Sequence, residues 1–257
     1  MRVVILAGGR GTRMAPETDL RPKPMVEVGG RPLLWHIMRH FSVYGHHEFV
    51  IALGFRGEVI KHYVAGYGSL NGNLTVDFKT GEVLTFERSS LPWRVTLVDT
   101  GLDAETGSRL RRLEPVLRDG TFMATYGDGV CDVDLDALLA FHRAHGGLAT
   151  VTAVRPPARF GHIEFDGDRV ARFQEKSQLD EGWINGGFFV LEPGLLDWIA
   201  DGDEVSFERD VMPELAEAGE LFAYRHDAFW QCMDTVRDQR LLESLWKAGR
   251  APWKTWR

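Results

Sequence analysis

Three glycines, Gly8, Gly9 and Gly11, break an apolar run at Ile5-Leu6-Ala7 and alternate with Arg10, Thr12 and Arg13. A second basic loop follows at Arg21-Pro22-Lys23-Pro24. Glycines tolerate positive φ and let another group approach the backbone closely, and successive N–H groups form a nest for an anion. Arginine offers a planar fork of donors to phosphate oxygens, and lysine a compact point charge. Pro22 and Pro24 stiffen the lysine loop by fixing φ. Residues 1–31 hold six basic side chains (Arg2, Arg10, Arg13, Arg21, Lys23, Arg31) and three acidic ones (Glu17, Asp19, Glu27). The whole chain, by contrast, carries a net charge of −7. That balance argues against a general nucleic-acid binder and for a small anionic ligand at one basic mouth.

Three phosphate-binding designs compete for this segment. A P-loop requires Gly-Lys-Ser/Thr, which does not occur. A dinucleotide fingerprint requires a third glycine where Met14 stands. The remaining design is a wide loop whose backbone wraps a nucleoside triphosphate, with Arg13 and Lys23 supplying charge. Two acidic residues far apart in the chain also stand in turn-rich contexts, Asp128 in Tyr-Gly-Asp-Gly and Asp234 in Cys-Met-Asp-Thr. Each alone reads as a turn former or a residue before a helix. Mg2+ takes one or two carboxylates together with phosphates and waters, but nothing local to either aspartate names the other.

Groups so far apart need a scaffold that gathers them. Residues 2–6 read as a buried strand that stops at the glycines. Pro32 opens an amphipathic helix that ends at Gly45. Strands at 49–54, 95–101, 122–129 and 148–154 alternate with helices near 57–64, 106–117 and 134–145, and a hairpin is expected at 74–78 and 83–86. Shorter strands at 162–165, 169–173 and 186–191 precede helices near 207–218 and 236–247. The alternation predicts an α/β fold: a mostly parallel, Rossmann-like sheet with helices on both faces and a small β-rich portion. Ligands of such sheets sit at the carboxyl ends of strands. Gly8, Thr100-Gly101 and Gly127-Asp128 all fall at such ends. Without a repeat or a linker, residues 1–257 read as one domain.

Ala7–Arg13 (AGGRGTR) with 22–30 (PKPMVEVGG) resembles the signature of the sugar-1-phosphate nucleotidyltransferases. The blocks VTLVDTG (95–101), TYGDGV (125–130), FQEK (173–176), NGGFFVL (185–191), FWQCMDT (229–235) and LWKAGRAPWKTW (245–256) extend the likeness over nearly the whole chain, toward the glucose-1-phosphate cytidylyltransferase branch. The resemblance implies transfer of a cytidylyl group from CTP to α-D-glucose 1-phosphate, giving CDP-glucose and pyrophosphate. It implies a nucleotide half at 1–154, a sugar-binding and C-terminal half at 155–257, and Mg2+ held by Asp128 and Asp234. The nucleotide would meet Leu6, Ala7, Gly8, Gly9, Arg10, Gly11 and Thr12, then Thr100, Ala104, Arg109 and Gly127. Arg13 would bind the departing pyrophosphate and Lys23 the α-phosphate. Tyr126, Glu175, Lys176, Asn185 and Gly186 would hold the sugar phosphate. That phosphate is already ionised, its second pKa being about 6, so no general base is needed and the nine histidines stay out of the mechanism.

Two positions depart from the family pattern: Ala104 replaces a polar residue near the base, and Ser177 replaces the proline after Lys176. They keep open a thymidylyl- or uridylyltransferase, or a cytidylyltransferase with another phosphorylated or phosphonate acceptor. A regulatory sensor of nucleotide or sugar on the same scaffold should lack one of Arg13, Lys23, Asp128 and Asp234, and all four are present. His36 and His40 lack the glutamate of a zinc motif and read as structural. His142 and His145 read as helix-end contacts, and Cys131 and Cys232 as small buried thiols. Two cysteines, no signal-peptide pattern and no bilayer-length apolar run point to a reducing cytoplasm without membrane attachment. The tryptophan-rich tail either covers its own core or serves an interface, and the resemblance implies a homo-oligomer.

Overall fold

A computed structural model describes residues 1–11, 14, 20–86, 91–156, 162–174 and 182–256; at 70, 162–166 and 172–174 only the backbone is described. The chain runs from β1 (Arg2–Leu6) through a ribbon of β2 (Glu27–Val28) and β3 (Arg31–Pro32) into helix α1 (Leu33–Val43). Next come β4 (Glu48–Leu53), α2 (Gly57–Leu70), the hairpin β5 (Asn73–Asp77) and β6 (Glu82–Phe86), and β7 (Arg94–Asp99). Helices α3 (Thr106–Arg112) and α4 (Glu114–Leu117) lead to β8 (Phe122–Tyr126), β9 (Gly129–Cys131), α5 (Leu135–His145) and β10 (Ala149–Val154). A second hairpin, β11 (His162–Asp166) and β12 (Arg169–Gln174), precedes β13 (Ile184–Leu191). The chain then passes through a π-helical turn (Phe207–Val211), α6 (Met212–Glu217), β14 (Leu221–His226), β15 (Trp230–Cys232) and α7 (Val236–Lys247).

Seven strands form the central sheet in the order β14-β10-β13-β8-β1-β4-β7. Pairings β1–β4, β1–β8, β4–β7 and β10–β14 are parallel, whereas β13 runs antiparallel to both of its neighbours. Alternate residues of each strand enter opposite cores. Val3, Ile5, Phe49 and Ile51 pack toward α1, α5 and α7, while Val4, Val50 and Ala52 pack toward α3, α4 and α6. Burial on both faces is why these strands read as unbroken apolar runs.

The expected boundaries differ where local chemistry intervenes. The helix expected at 106–117 divides at Leu113, because Pro115 suits the first turn of a new helix and cannot donate within an old one. The 122–129 run divides at Gly127-Asp128, and its second part pairs with β15 as a separate ribbon. Helix α2 continues to Leu70 through two glycines. The tail folds over its own core: Trp253 is fully buried, and its indole donates to His36 Nδ1 at 3.3 Å. His36 Nε2 meets the Val28 carbonyl at 2.8 Å, so the ring is a neutral brace, with its pKa pushed down to about 4 chiefly by burial. His145 accepts from Gly147 N just past α5, the expected helix-end contact.

Candidate active site

The glycine loop leaves the carboxyl end of β1 with its backbone anchored on both sides. Ala7 N donates to Ala52 O at 3.0 Å, and Gly127 N donates to Leu6 O at 2.9 Å. Gly8 O accepts from Phe55 N at 3.1 Å. A side chain at Gly8 would stand 2.2 Å from the Arg109 guanidinium, so this position excludes a Cβ. Gly9, by contrast, faces open space. Between this loop and the start of α3 lies a cleft of about 290 Å³, lined by Leu6 to Gly9, Gly11, Lys23, Pro24, Ala104 to Thr106, Arg109 and Tyr126 to Asp128.

Lys23 and the two acids converge at this cleft. Lys23 lies on a short 3-10 turn after Pro22 and is 8% exposed. Its ammonium donates to Asp128 Oδ2 at 2.8 Å and to Asp234 Oδ1. Burial alone would lower the lysine pKa, but the two carboxylates outweigh it and the net direction is upward. Asp128 sits in the Gly127-Asp128 turn that its context suggested, whereas Asp234 is not the cap of α7. The cap of α7 is Thr235, in a reciprocal box with Asp238, which frees Asp234 to reach Lys23. Asp128 follows β8, and its carbonyl accepts from Met233 N at 2.8 Å, tying the two acidic loops together.

The two carboxylates present hard oxygens beside a single point of positive charge, and their side chains are 34% and 18% exposed. This donor set fits a Mg2+-type cation. Cys131, Asp132 and His226 also come together, at the far end of the β9–β15 ribbon. There His226 Nε2 lies 3.0 Å from Asp132 Oδ1 and 3.2 Å from Phe229 O, a bridge between two acceptors, and burial pushes the Cys131 thiol up. That group braces the ribbon. Cys232 is likewise held as a thiol, pushed up to about 12 by burial and then by Asp234.

Arg109, expected to reach the nucleotide, lies 4% exposed in the cleft wall. Its Nη1 donates to Leu53 O, Thr100 Oγ1 and Gly101 O at 2.7–3.0 Å, and its Nη2 to Gly8 O and Leu102 O at 3.2 and 3.3 Å. Both amino groups are therefore committed to the protein, where they orient carbonyls of the glycine loop and of the turn after β7. Thr100 is buried behind this contact, outside the lining. Arg10 turns away to an exposed pair with Asp103 at 2.6 Å. Of the expected sugar-side residues Tyr126 lines the cleft, while Asn185 and Gly186 stand outside the lining: Asn185 Nδ2 donates to Tyr126 Oη at 3.0 Å, and Gly186 O accepts from the Trp230 indole at 2.7 Å. Thr12, Arg13, Glu175, Lys176 and Ser177 lie outside the described residues. Sequence reasoning missed Glu208, to which Tyr126, Thr106 and Ser206 all donate; a glutamate in Ser-Phe-Glu-Arg-Asp reads as a surface charge.

Residues 2–247 match the profile of the nucleotidyl transferase family. The chain is 49% identical to the glucose-1-phosphate cytidylyltransferase of Salmonella typhi over 257 residues, all of both chains. It is 39% identical to a probable glucose-1-phosphate cytidylyltransferase of Bacillus subtilis over 256 residues, again all of both. Among solved structures it resembles a UDP-glucose pyrophosphorylase complexed with UDP-glucose, with a TM-score of 0.67 at 15% identity, covering 97% of this chain and 99% of the other. The cleft at the carboxyl ends of β1 and β8 is thus built on a shared scaffold, and the chain belongs to the nucleotidyl transferase family.

Proposed function

We propose that the protein transfers a cytidylyl group from CTP to α-D-glucose 1-phosphate, releasing pyrophosphate and forming CDP-glucose. The observation that carries the reading is the convergence of Lys23, Asp128 and Asp234 beside a glycine loop. The full-length identity to glucose-1-phosphate cytidylyltransferases supports the choice of substrates.

In this reading the N–H groups of the open glycine loop, with Arg13, hold the triphosphate. Lys23 meets charge at the α-phosphate, and Tyr126, Asn185 and Gly186, with Glu175 and Lys176, hold the sugar phosphate. The ionised sugar phosphate oxygen attacks the α-phosphorus in line with departing pyrophosphate, and no side chain removes a proton. Transfer of this kind asks mainly for alignment and charge neutralisation. Asp128 and Asp234 would hold Mg2+, whose charge would offset the repulsion between the two phosphates. Base choice rests on backbone groups of Leu6 to Gly8 and on the segment that follows Gly101. Ala104, 6% exposed in the lining, contributes no side-chain hydrogen bond there.

The chain would act as one domain, residues 1–154 serving mainly the nucleotide and 155–257 mainly the sugar. Two free cysteines support a reducing, cytoplasmic setting. Among the described residues no helix is long and apolar enough to cross a membrane. Homo-oligomer formation is supported by the β5–β6 hairpin, which exposes Leu74, Val76, Phe78, Val83, Leu84 and Phe86 although a lone two-stranded hairpin is marginal in water.

The experiment is pyrophosphate release with Mg2+ across CTP, UTP, dTTP, ATP and GTP against glucose 1-phosphate and alternative acceptors. Selective turnover of CTP with glucose 1-phosphate is expected. Turnover of UTP or dTTP in its place would overturn the base assignment, turnover of CTP only with another acceptor would overturn the sugar assignment, and no release with any pair would overturn both.

A further inference from the structure

Glu208 stands behind the cleft wall, half-buried on the π-helical turn Phe207–Val211. Its Oε1 accepts from Tyr126 Oη, and its Oε2 from Thr106 Oγ1 at 2.5 Å and Ser206 Oγ at 3.0 Å. Tyr126 and Thr106 line the cleft. An ionised carboxylate only accepts hydrogen bonds, so each hydroxyl must point its single proton at Glu208. Two further bonds fix what remains. Phe207 N donates to Thr106 Oγ1 at 2.9 Å, and Asn185 Nδ2 donates to Tyr126 Oη at 3.0 Å. Asn185 is itself oriented, since its Oδ1 accepts from Gly187 N at 2.8 Å. Gly187, at φ +77°, also makes room for the phenol: a Cβ there would sit 2.3 Å from Tyr126 Cδ2. This network joins α3, β8, β13 and the turn before α6 behind one patch of wall.

We propose that Glu208 is a positioning residue that sets the hydrogen-bond polarity of this wall: it takes up the hydroxyl protons of Tyr126 and Thr106, so that both present only lone pairs to the cleft, and the sugar group that meets them must donate. The inference rests on the acceptor being a hexose 1-phosphate, and it deepens that reading by naming what the sugar must bring. A hydroxyl in the right place satisfies the wall. A fluorine or hydrogen in its place leaves acceptors facing each other or unpaired. A neutral neighbour in place of Glu208 would release a proton and let the wall donate.

The test is steady-state kinetics with glucose 1-phosphate and its 2-, 3-, 4- and 6-deoxyfluoro analogues, which cannot donate at the altered carbon. In the wild type, at least one analogue is expected to raise KM by roughly tenfold with little change in kcat, the scale of one net hydrogen bond. Glu208→Gln keeps the shape but must turn an NH2 toward one hydroxyl, and discrimination at that carbon should largely disappear. Tyr126→Phe should remove the same discrimination, and the double variant should lose no more. A Glu208→Gln protein that discriminates like the wild type overturns the inference, as does a wild type that accepts every analogue equally. If the wild type turns over no hexose 1-phosphate, the functional reading fails. Urea unfolding of the two single variants and the double variant then tests the network by itself: non-additive losses support the Tyr126–Glu208 link, and additive losses overturn it.

Discussion

Two buried cations share this cleft, and their partners differ. Arg109 is surrounded by neutral oxygens, four carbonyls and one hydroxyl, spread over the loops after β1, β4 and β7. Lys23 is held by two carboxylates, on loops after β8 and β15. A guanidinium among carbonyls is a tie: it adds a donor to the Gly8 and Leu53 carbonyls, reaches those of Gly101 and Leu102, and fixes the shape of the wall. An ammonium between two acids forms a group with one excess negative charge facing a cleft, suited to polyvalent ions that come and go. Proximity to a ligand pocket therefore does not make a cation a ligand-binding group; its own partners decide.

The largest effect should come from the charged group. Lys23→Ala is expected to lower kcat by about a thousandfold or more, the range for a side chain that neutralises charge in phosphoryl transfer. Far-ultraviolet circular dichroism of the variant should match the wild type. A loss of only a few-fold would place Lys23 with the structural cations. Arg109→Lys should reverse the pattern. An ammonium cannot span five acceptors, so unfolding in urea should show a loss of about 2–3 kcal/mol, the scale of lost hydrogen bonds from a charged donor. Activity should fall less than in Lys23→Ala, and the opposite ranking would break the comparison.

Acid should act on a third place. The Lys23 pKa is raised on folding, so its stabilising contribution is complete below its ordinary value of 10.5 and fades only as pH rises through the higher folded value. His36 and His40 are buried as neutral rings, each pushed down to about 4 mainly by burial. Below pH 6.5 the unfolded chain binds protons that the folded chain refuses. Stability should therefore fall as pH drops from 6.5 to 4, by up to about 1.4 kcal/mol per pH unit for each histidine. Thermal unfolding across that range would show the slope, and a flat profile would contradict the neutral-brace assignment. The smallest effect belongs to Arg10→Ala. Its exposed pair with Asp103 should contribute no more than about 1 kcal/mol, readable in urea as a shift near experimental error.

The nucleotide side of the fold was legible because β1, β4 and β8 are buried on both faces and read as apolar runs between turn signals. Strand direction is not written in such runs, so the antiparallel β13 was not visible, and three-residue β9 and β15 are too short to show a period. The Lys23–Asp128–Asp234 group could be assembled only through family resemblance, since nothing local to any of the three names the others. Arg109 shows the reverse case. Its residue type and place suggested a ligand contact, while the carbonyls that occupy it, from Gly8 to Leu102, come together only in the folded chain. Glu208 was missed for the same reason, as its donors lie on three separate segments.

The most direct measurement is Mg2+-dependent pyrophosphate release from CTP and glucose 1-phosphate by the wild type and by Asp234→Ala. The account predicts turnover that requires both the metal and Asp234, with the variant falling to background while remaining folded. Wild-type-like turnover by Asp234→Ala would contradict it.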